Sequence, residues 1–332
     1  MTRSVVFLSI FAAAGFAADW NPRLAADYMD ARQKEWFAWP RANQNAHPCV
    51  SCHTNLTYLM ARPALRKTLG ESAPTEWEKG LLAMLSSRVS NTDAKQMYPA
   101  AGAGFAEQET AVEAIFAAMF LPDSPPAFER MWKLQAADGA WAWNSANLDP
   151  WEMPESEYFG AAFAAMAASR EKGSAFAPNV AALVKYVREG IDKQPMQNRL
   201  TALWASSRMK DLLPKPVKGA IIQDAYKNQQ PDGGWTAASL GPFRDHPNAP
   251  PAEGSNAYAT ALTTLALERA GESRSDARVE KALAWLRSHQ NPQTGAWEAL
   301  SMNKKYEPGS MQIRFMQDAA TGYAVMALLD VQ

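Results

Sequence analysis

Three short segments of the chain repeat one pattern, and that repetition restricts the fold more than any other feature. QAADGAW occupies residues 135–141, QQPDGGW 229–235 and QNPQTGAW 290–297. The first two agree in Gln-x-x-Asp-Gly-small-Trp, whereas the third carries a one-residue insertion and lacks the aspartate. Each follows a stretch with helical periodicity (127–135, 217–229, 277–290), and each precedes, after a loop, an Ala-rich helical stretch. The Ala-rich stretches at 109–121, 157–169, 198–209, 258–270 and 319–331 resemble one another and suit close packing on every side. Those between them, such as 76–88, 180–191 and 277–290, carry a charged stripe opposite an apolar face. Adding an outer-type helix at 23–36 and an inner-type one at 56–69 gives six outer and six inner helices in alternation. Helix pairs repeating about every 50 residues stack into arrays or closed rings, because one pair cannot bury its apolar face alone. An open array needs polar capping helices, yet the last inner helix is apolar to its end. The pattern therefore predicts an all-α fold, an (α/α)6 toroid whose last helix is covered by the first.

The 332 residues are 47% hydrophobic and 20% charged, the composition of a folded globular chain. We read one domain over residues 18–332. With 33 Lys+Arg against 34 Asp+Glu, the chain lacks the positive excess of a nucleic-acid binder. Residues 1–17 have the form of a signal peptide: Arg3 in a short head, an apolar run from Val5 to Ala14, and Gly15-Phe16-Ala17 at the cleavage point. An uncleaved anchor is the alternative, but the run is short of the roughly 20 residues a span needs. The expected protein is exported, periplasmic or extracellular, with no integral membrane segment in the mature chain.

Its two cysteines lie together in HPCVSCHTN, residues 47–55. Cys-x-x-Cys-His is the attachment signature of c-type haem. Thiols at this spacing each add across one haem vinyl group, and the adjacent imidazole binds iron from the proximal side. Cys49 and Cys52 are thus expected to hold one haem c, with His53 as proximal ligand. A disulfide, a thioredoxin-type dithiol and a zinc site are the alternatives. The dithiol needs a βαβ context, and zinc needs a further donor.

The Gln-x-x-Asp-Gly-Gly-Trp segments resemble the QW motifs of squalene–hopene cyclases and related prenyltransferase repeats, over roughly residues 105–332. The resemblance implies an α/α toroid. It also implies a structural role for Gln135, Asp138, Trp141, Gln229, Asp232 and Trp235, tying an outer helix end to the next inner helix start. Gln290 and Trp297 match in part. The catalytic residues of that family are missing: no Asp-x-Asp-Asp occurs, and the zinc site of prenyltransferases needs a cysteine, whereas both cysteines here belong to Cys-x-x-Cys-His. The chain is also too short for the second helical domain of the cyclases. Fold resemblance alone assigns no activity.

In this scheme Cys49–His53 joins the first outer helix to the first inner one, where the QW segments sit in later repeats. The haem is then expected at the mouth formed by inner-helix N-termini. Candidate sixth ligands are His246, Met316 and Met97, with Met311 on the same rim; an open five-coordinate iron also fits. His47 is too near Cys49 to reach the distal face, and His289 ends an outer helix. Asp149, Glu152, Glu155 and Glu157 read as caps and solvated loop, or as a docking patch or proton donor. Trp143, Trp151 and Trp204 are candidates to line the cavity. The function expected is electron transfer with a redox partner protein. The alternative is a haem-dependent redox enzyme, or a binding protein, acting on an apolar isoprenoid-like ligand.

Overall fold

A computed structural model describes residues 20–44, 47–91, 103–153, 155–171 and 173–329. The leader and Met97 lie outside the described residues. The helices are α1 (Pro22–Ala38), α2 (Asn55–Thr68), α3 (Glu76–Ser90), α4 (Ala103–Phe120), α5 (Pro125–Lys133), α6 (Ser156–Ala168), α7 (Ala177–Gly190), α8 (Met196–Arg208), α9 (Lys215–Lys227), α10 (Ala257–Arg269), α11 (Ala277–Ser288) and α12 (Phe315–Leu328). They fall at the positions the periodicity predicts, and the fold is all-α. The one extended element described is a two-residue antiparallel pairing of Asn43–Gln44 with His47–Pro48, ahead of the cysteines. No described helix is long and apolar enough to cross a membrane.

Burial separates the two helix types. In α6, α10 and α12 nearly every residue is buried, whereas α7 buries only Leu183 and Val187, and α9 only Ile221 and Ala225. A helix apolar all round must be enclosed, and one with a single apolar stripe lies at the surface. The even-numbered helices contact one another in the order α4, α6, α8, α10, α12, α2. The odd-numbered ones pack against them: α7 on α6, α9 on α8, α11 on α10 and α12, α1 on both α2 and α12. The first helix thus packs on the last.

The repeat turns show why Gln, Gly and Trp recur. Each tryptophan donates its indole N–H to a carbonyl near the end of the preceding odd-numbered helix: Trp141 to Met131, Trp235 to Ala225, Trp297 to Leu286, each at 2.7 Å. Each glutamine Nε2 donates twice, to the glycine carbonyl of its own turn and to the next odd-numbered helix. Gln135 reaches Gly139 (3.1 Å) and Asn179 of α7 (3.0 Å). Gln229 reaches Gly233 and Arg278 of α11, both at 2.9 Å. The glutamine tie therefore runs to the next outer helix, correcting the inner-helix tie that the resemblance implied. The reason is reach, since a short amide side chain spans adjacent outer turns but not the connecting loop. Asp232 comes nearer the implied role, accepting from Ser255 ahead of α10 (2.7 Å) and from the Trp285 indole (3.1 Å). Asp138 accepts from the Ala140 N–H of its own turn.

The third turn makes the same contact with the start of the chain. Gln290 Nε2 donates to Gly295 (2.9 Å) and to Asn21 (3.0 Å), and Asn21 caps α1. Gly295 has φ of 79°, and a Cβ there would collide with the Leu24 carbonyl of α1. Gly295→Ala is therefore expected to cost about 1–3 kcal/mol, through left-handed strain and the backbone collision. Urea unfolding measures it, and an unchanged midpoint contradicts it.

Candidate functional site

The loop carrying both cysteines is fixed from several sides before any ligand is considered. The Trp36 indole donates to the Cys49 carbonyl (2.9 Å), and the Val50 N–H donates to Glu113 Oε1 (3.1 Å). The Ser51 N–H and hydroxyl both donate to Asn55 Oδ1 (2.8 and 2.9 Å) at the start of α2. Cys49, Cys52 and His53 then line one cavity of about 350 Å³, walled by Trp36, Trp143, Trp151, Phe315 and Met316 among others. That volume falls within the range of small-molecule pockets.

His53 is the most constrained member. One face stacks on Phe315, with centroids 3.8 Å apart and planes at 21°. Its Nδ1 lies 2.8 Å from Thr54 Oγ1. That hydroxyl donates its own proton to Asp318 Oδ2 at 2.8 Å, so its oxygen accepts from Nδ1–H. The proton is thereby placed on Nδ1, and Nε2 keeps its lone pair. Nε2 has no hydrogen-bond partner among the described residues. Burial, reinforced by the Arg32 charge, pushes the imidazole down to about 3, so it is neutral at ordinary pH. A neutral imidazole with Nδ1–H directed at an acceptor is the form that ligates a metal through Nε2.

Asp318 anchors this arrangement. Its Oδ1 accepts from the Tyr28 hydroxyl (2.6 Å) and Arg32 Nε (2.7 Å), and its Oδ2 from Arg32 Nη2 (2.9 Å) and Thr54. Arg32 is 1% exposed and Asp318 4%. The bidentate pair joins α1 to α12 and orients the residue next to His53.

The thiols are unbridged, with Cys52 buried and Cys49 partly so. Burial pushes both up, followed for Cys49 by Glu109 and Glu113, and for Cys52 by Glu152 and Glu109. A dithiol active in exchange needs the opposite shift. No group of three or more His, Cys, Asp or Glu side chains arranged to hold a metal ion occurs among the described residues.

Two carboxylates share the cavity. Burial, then Glu113, pushes Glu109 up to about 8, even though it accepts from Asn144 Nδ2 at 2.6 Å. Burial also raises Glu152. Folding therefore binds a proton at Glu109 between its ordinary 4.5 and 8, so its contribution to stability is lost as pH rises through that window. Glu109→Gln keeps an oxygen toward Asn144 and is expected to gain a few kcal/mol on wild type above pH 8, with the gain fading toward pH 4.5. Urea unfolding of the haem-free protein across this range tests the expectation, and a pH-independent difference contradicts it.

The sixth-ligand candidates separate. Met316, buried at the start of α12, shares the cavity with His53. His246 does not line it; its Nε2 is engaged with the carboxylate of buried Asp149. Met311 Sδ lies 3.1 Å from Arg32 Nη1. His289 stacks on Trp285 at 3.7 Å and directs Nδ1 to the Trp285 carbonyl, a helix-end role. Of the acidic segment only Glu152 lines the cavity, while Glu155 faces Arg244 at 3.8 Å and Glu157 is exposed. Trp143 and Trp151 line the site as expected, whereas Trp204 lines a separate cavity. Arg32, Thr54, Glu109, Phe315 and Asp318 escaped the sequence reading. The available signal was the lone charge of Asp318 inside the apolar helix α12; Arg32 lies in the charged helix α1 and gave none. No protein-family model matches the chain, and no curated protein matches it.

Proposed function

We propose that the chain is an exported monohaem c-type cytochrome, with haem attached at Cys49 and Cys52 and His53 Nε2 as proximal iron ligand. The observation that carries this reading is one cavity holding both thiols and a neutral imidazole whose Nε2 is uncommitted. The donor set fits: the thiols are free to form thioethers, and the stacking of Phe315 covers a ring face, leaving the edge with Nε2 clear. One-electron exchange is the chemistry such a group supplies. The chain's own part is to hold His53 in one tautomer through Thr54 and Asp318. Trp36, Trp143, Trp151 and Phe315 wall the site with aromatic surface, and Met316 would be the sixth ligand that its position favours. Cys49 and Cys52 would each hold the group by adding S–H across one of its vinyl groups, with no electron gained or lost overall.

The scaffold we propose is the (α/α)6 toroid. The contact order of the even-numbered helices supports it, as does the repetition by Gln290 and Asn21 of the tie between Gln229 and α11. Electron transfer to a partner protein is the activity that a haem held by His53 and Met316 in this cavity would support. A second reading, a haem-dependent redox enzyme or a binding protein for an apolar isoprenoid-like ligand, draws on Glu109. As a neutral acid beside the cavity, it can donate a proton there.

Spectroscopy of protein made in a host that attaches c-type haem tests the reading. The expected result is c-type absorption bands that stay with the polypeptide in acidified organic solvent, and their absence overturns it. Resistance of the reduced protein to carbon monoxide favours electron transfer with Met316 ligated. Ready binding favours the enzyme reading.

A further inference from the structure

At the end of the helix assembly remote from His53 lies a second cavity, of about 360 Å³. All six even-numbered helices contribute to it, among them Met60 of α2, Met119 of α4, Met166 of α6, Trp204 of α8 and Met326 of α12. The residues lining the first cavity include Glu109 and Met316, from the opening turns of α4 and α12. Those lining the second come largely from helix C-terminal ends. Apart from three arginines, the lining side chains are apolar and rich in methionine, the side chain that best adapts to a flexible guest.

Three cations gather at the same place: Arg170 just beyond α6, Arg208 at the end of α8 and Arg269 at the end of α10. No acidic residue is among the described lining residues. Arg170 Nη1 donates to the Met119 carbonyl at 2.6 Å, but Arg208 has no hydrogen-bond or ion-pair partner among the described residues. Partial burial, then the charge of Arg170, lowers Arg208 from its ordinary value, in keeping with two cations close together at the cavity. A helix C-terminus accounts for one arginine near each end. It does not account for their convergence on one apolar cavity. The buried Trp204 Nε1, also without a partner, adds a donor in the wall.

We propose that this cavity binds a single-chain amphiphile with an anionic head, the chain lying among the methionines and the head at Arg208 and Arg170. Charge complementarity selects the head, and the apolar walls select the tail. Nothing in this proposal depends on haem at the other end.

Isothermal titration of the full-length protein with dodecanoate, dodecanol and acetate, below micelle concentrations, tests it. Dodecanoate is expected to bind at least about tenfold more tightly than dodecanol, the gain expected of a charged hydrogen bond, with acetate not detectably bound. Arg208→Gln is expected to weaken dodecanoate about tenfold and leave dodecanol unchanged. Because Arg208 is exposed at a helix end, this variant should fold, and Arg208→Lys should restore part of the affinity. Equal binding of dodecanol and dodecanoate, or an Arg208→Gln protein that binds dodecanoate unchanged, overturns the proposal. Binding of acetate as tightly as dodecanoate does so too, by removing the role of the tail.

Discussion

Asp318→Ala is expected to destabilise the protein by about 3–5 kcal/mol, the range for removing one partner of a buried ion pair. The cost comes less from the lost attraction than from what stays behind. Arg32, 1% exposed, keeps its charge and loses its bidentate acceptor, while the Tyr28 and Thr54 hydroxyls lose theirs. Glu35 still accepts from Arg32 Nη1, but its side chain is 41% exposed, so it offsets the loss only in part. Asp318→Asn is a milder probe, because it preserves shape and opposes an amide N–H to donors on one side. Urea unfolding of haem-free protein gives the energies. A loss below about 1 kcal/mol for Asp318→Ala would mean that the four donors find other acceptors, contrary to this account.

The second large effect concerns the thiols. Cys49→Ser with Cys52→Ser is expected to abolish covalent haem, so that denatured protein has the mass of the polypeptide alone. Each single variant is expected to keep one thioether, with altered bands. His53→Ala is expected to retain covalent attachment, since the thiols carry it, and to lose the spectrum of an iron held by two strong axial ligands. Mass spectrometry and absorption together separate these outcomes. Wild-type chains carrying an oxidised Cys49–Cys52 pair and no added group would favour the disulfide reading. The buried thiol Cys52 tolerates serine less well than Cys49, because a hydroxyl in that setting needs a partner.

The two halves of the site differed in how far they could be read from sequence. Cys49, Cys52 and His53 are legible because Cys-x-x-Cys-His is a fixed short spacing, which is local. The positions of the twelve described helices are legible for the same reason, since apolar periodicity is written within each segment. Which of the candidate sixth ligands shares the cavity was not legible: His246, His289, Met97, Met311 and Met316 are equivalent as letters. Folding separates the described ones by pairing His246 with Asp149, stacking His289 on Trp285 and placing Met316 in the cavity. The glutamines of the repeat turns were recognised, but their partners in the next outer helix were not. Those partners lie 44 and 49 residues on for Gln135 and Gln229, and 269 residues back for Gln290.

By itself the sequence determined an all-α chain of alternating enclosed and surface helices and one Cys-x-x-Cys-His loop between the first two. Both follow from patterns a few residues long. Only the tertiary structure decided that Asp318, 264 residues beyond Thr54, sets the tautomer of His53, and that burial holds the Glu109 carboxyl well above its ordinary range in the cavity of the thiols. The reason is that burial and pairing set the protonation of a side chain. Both are created only when distant segments of the chain exclude water from one another.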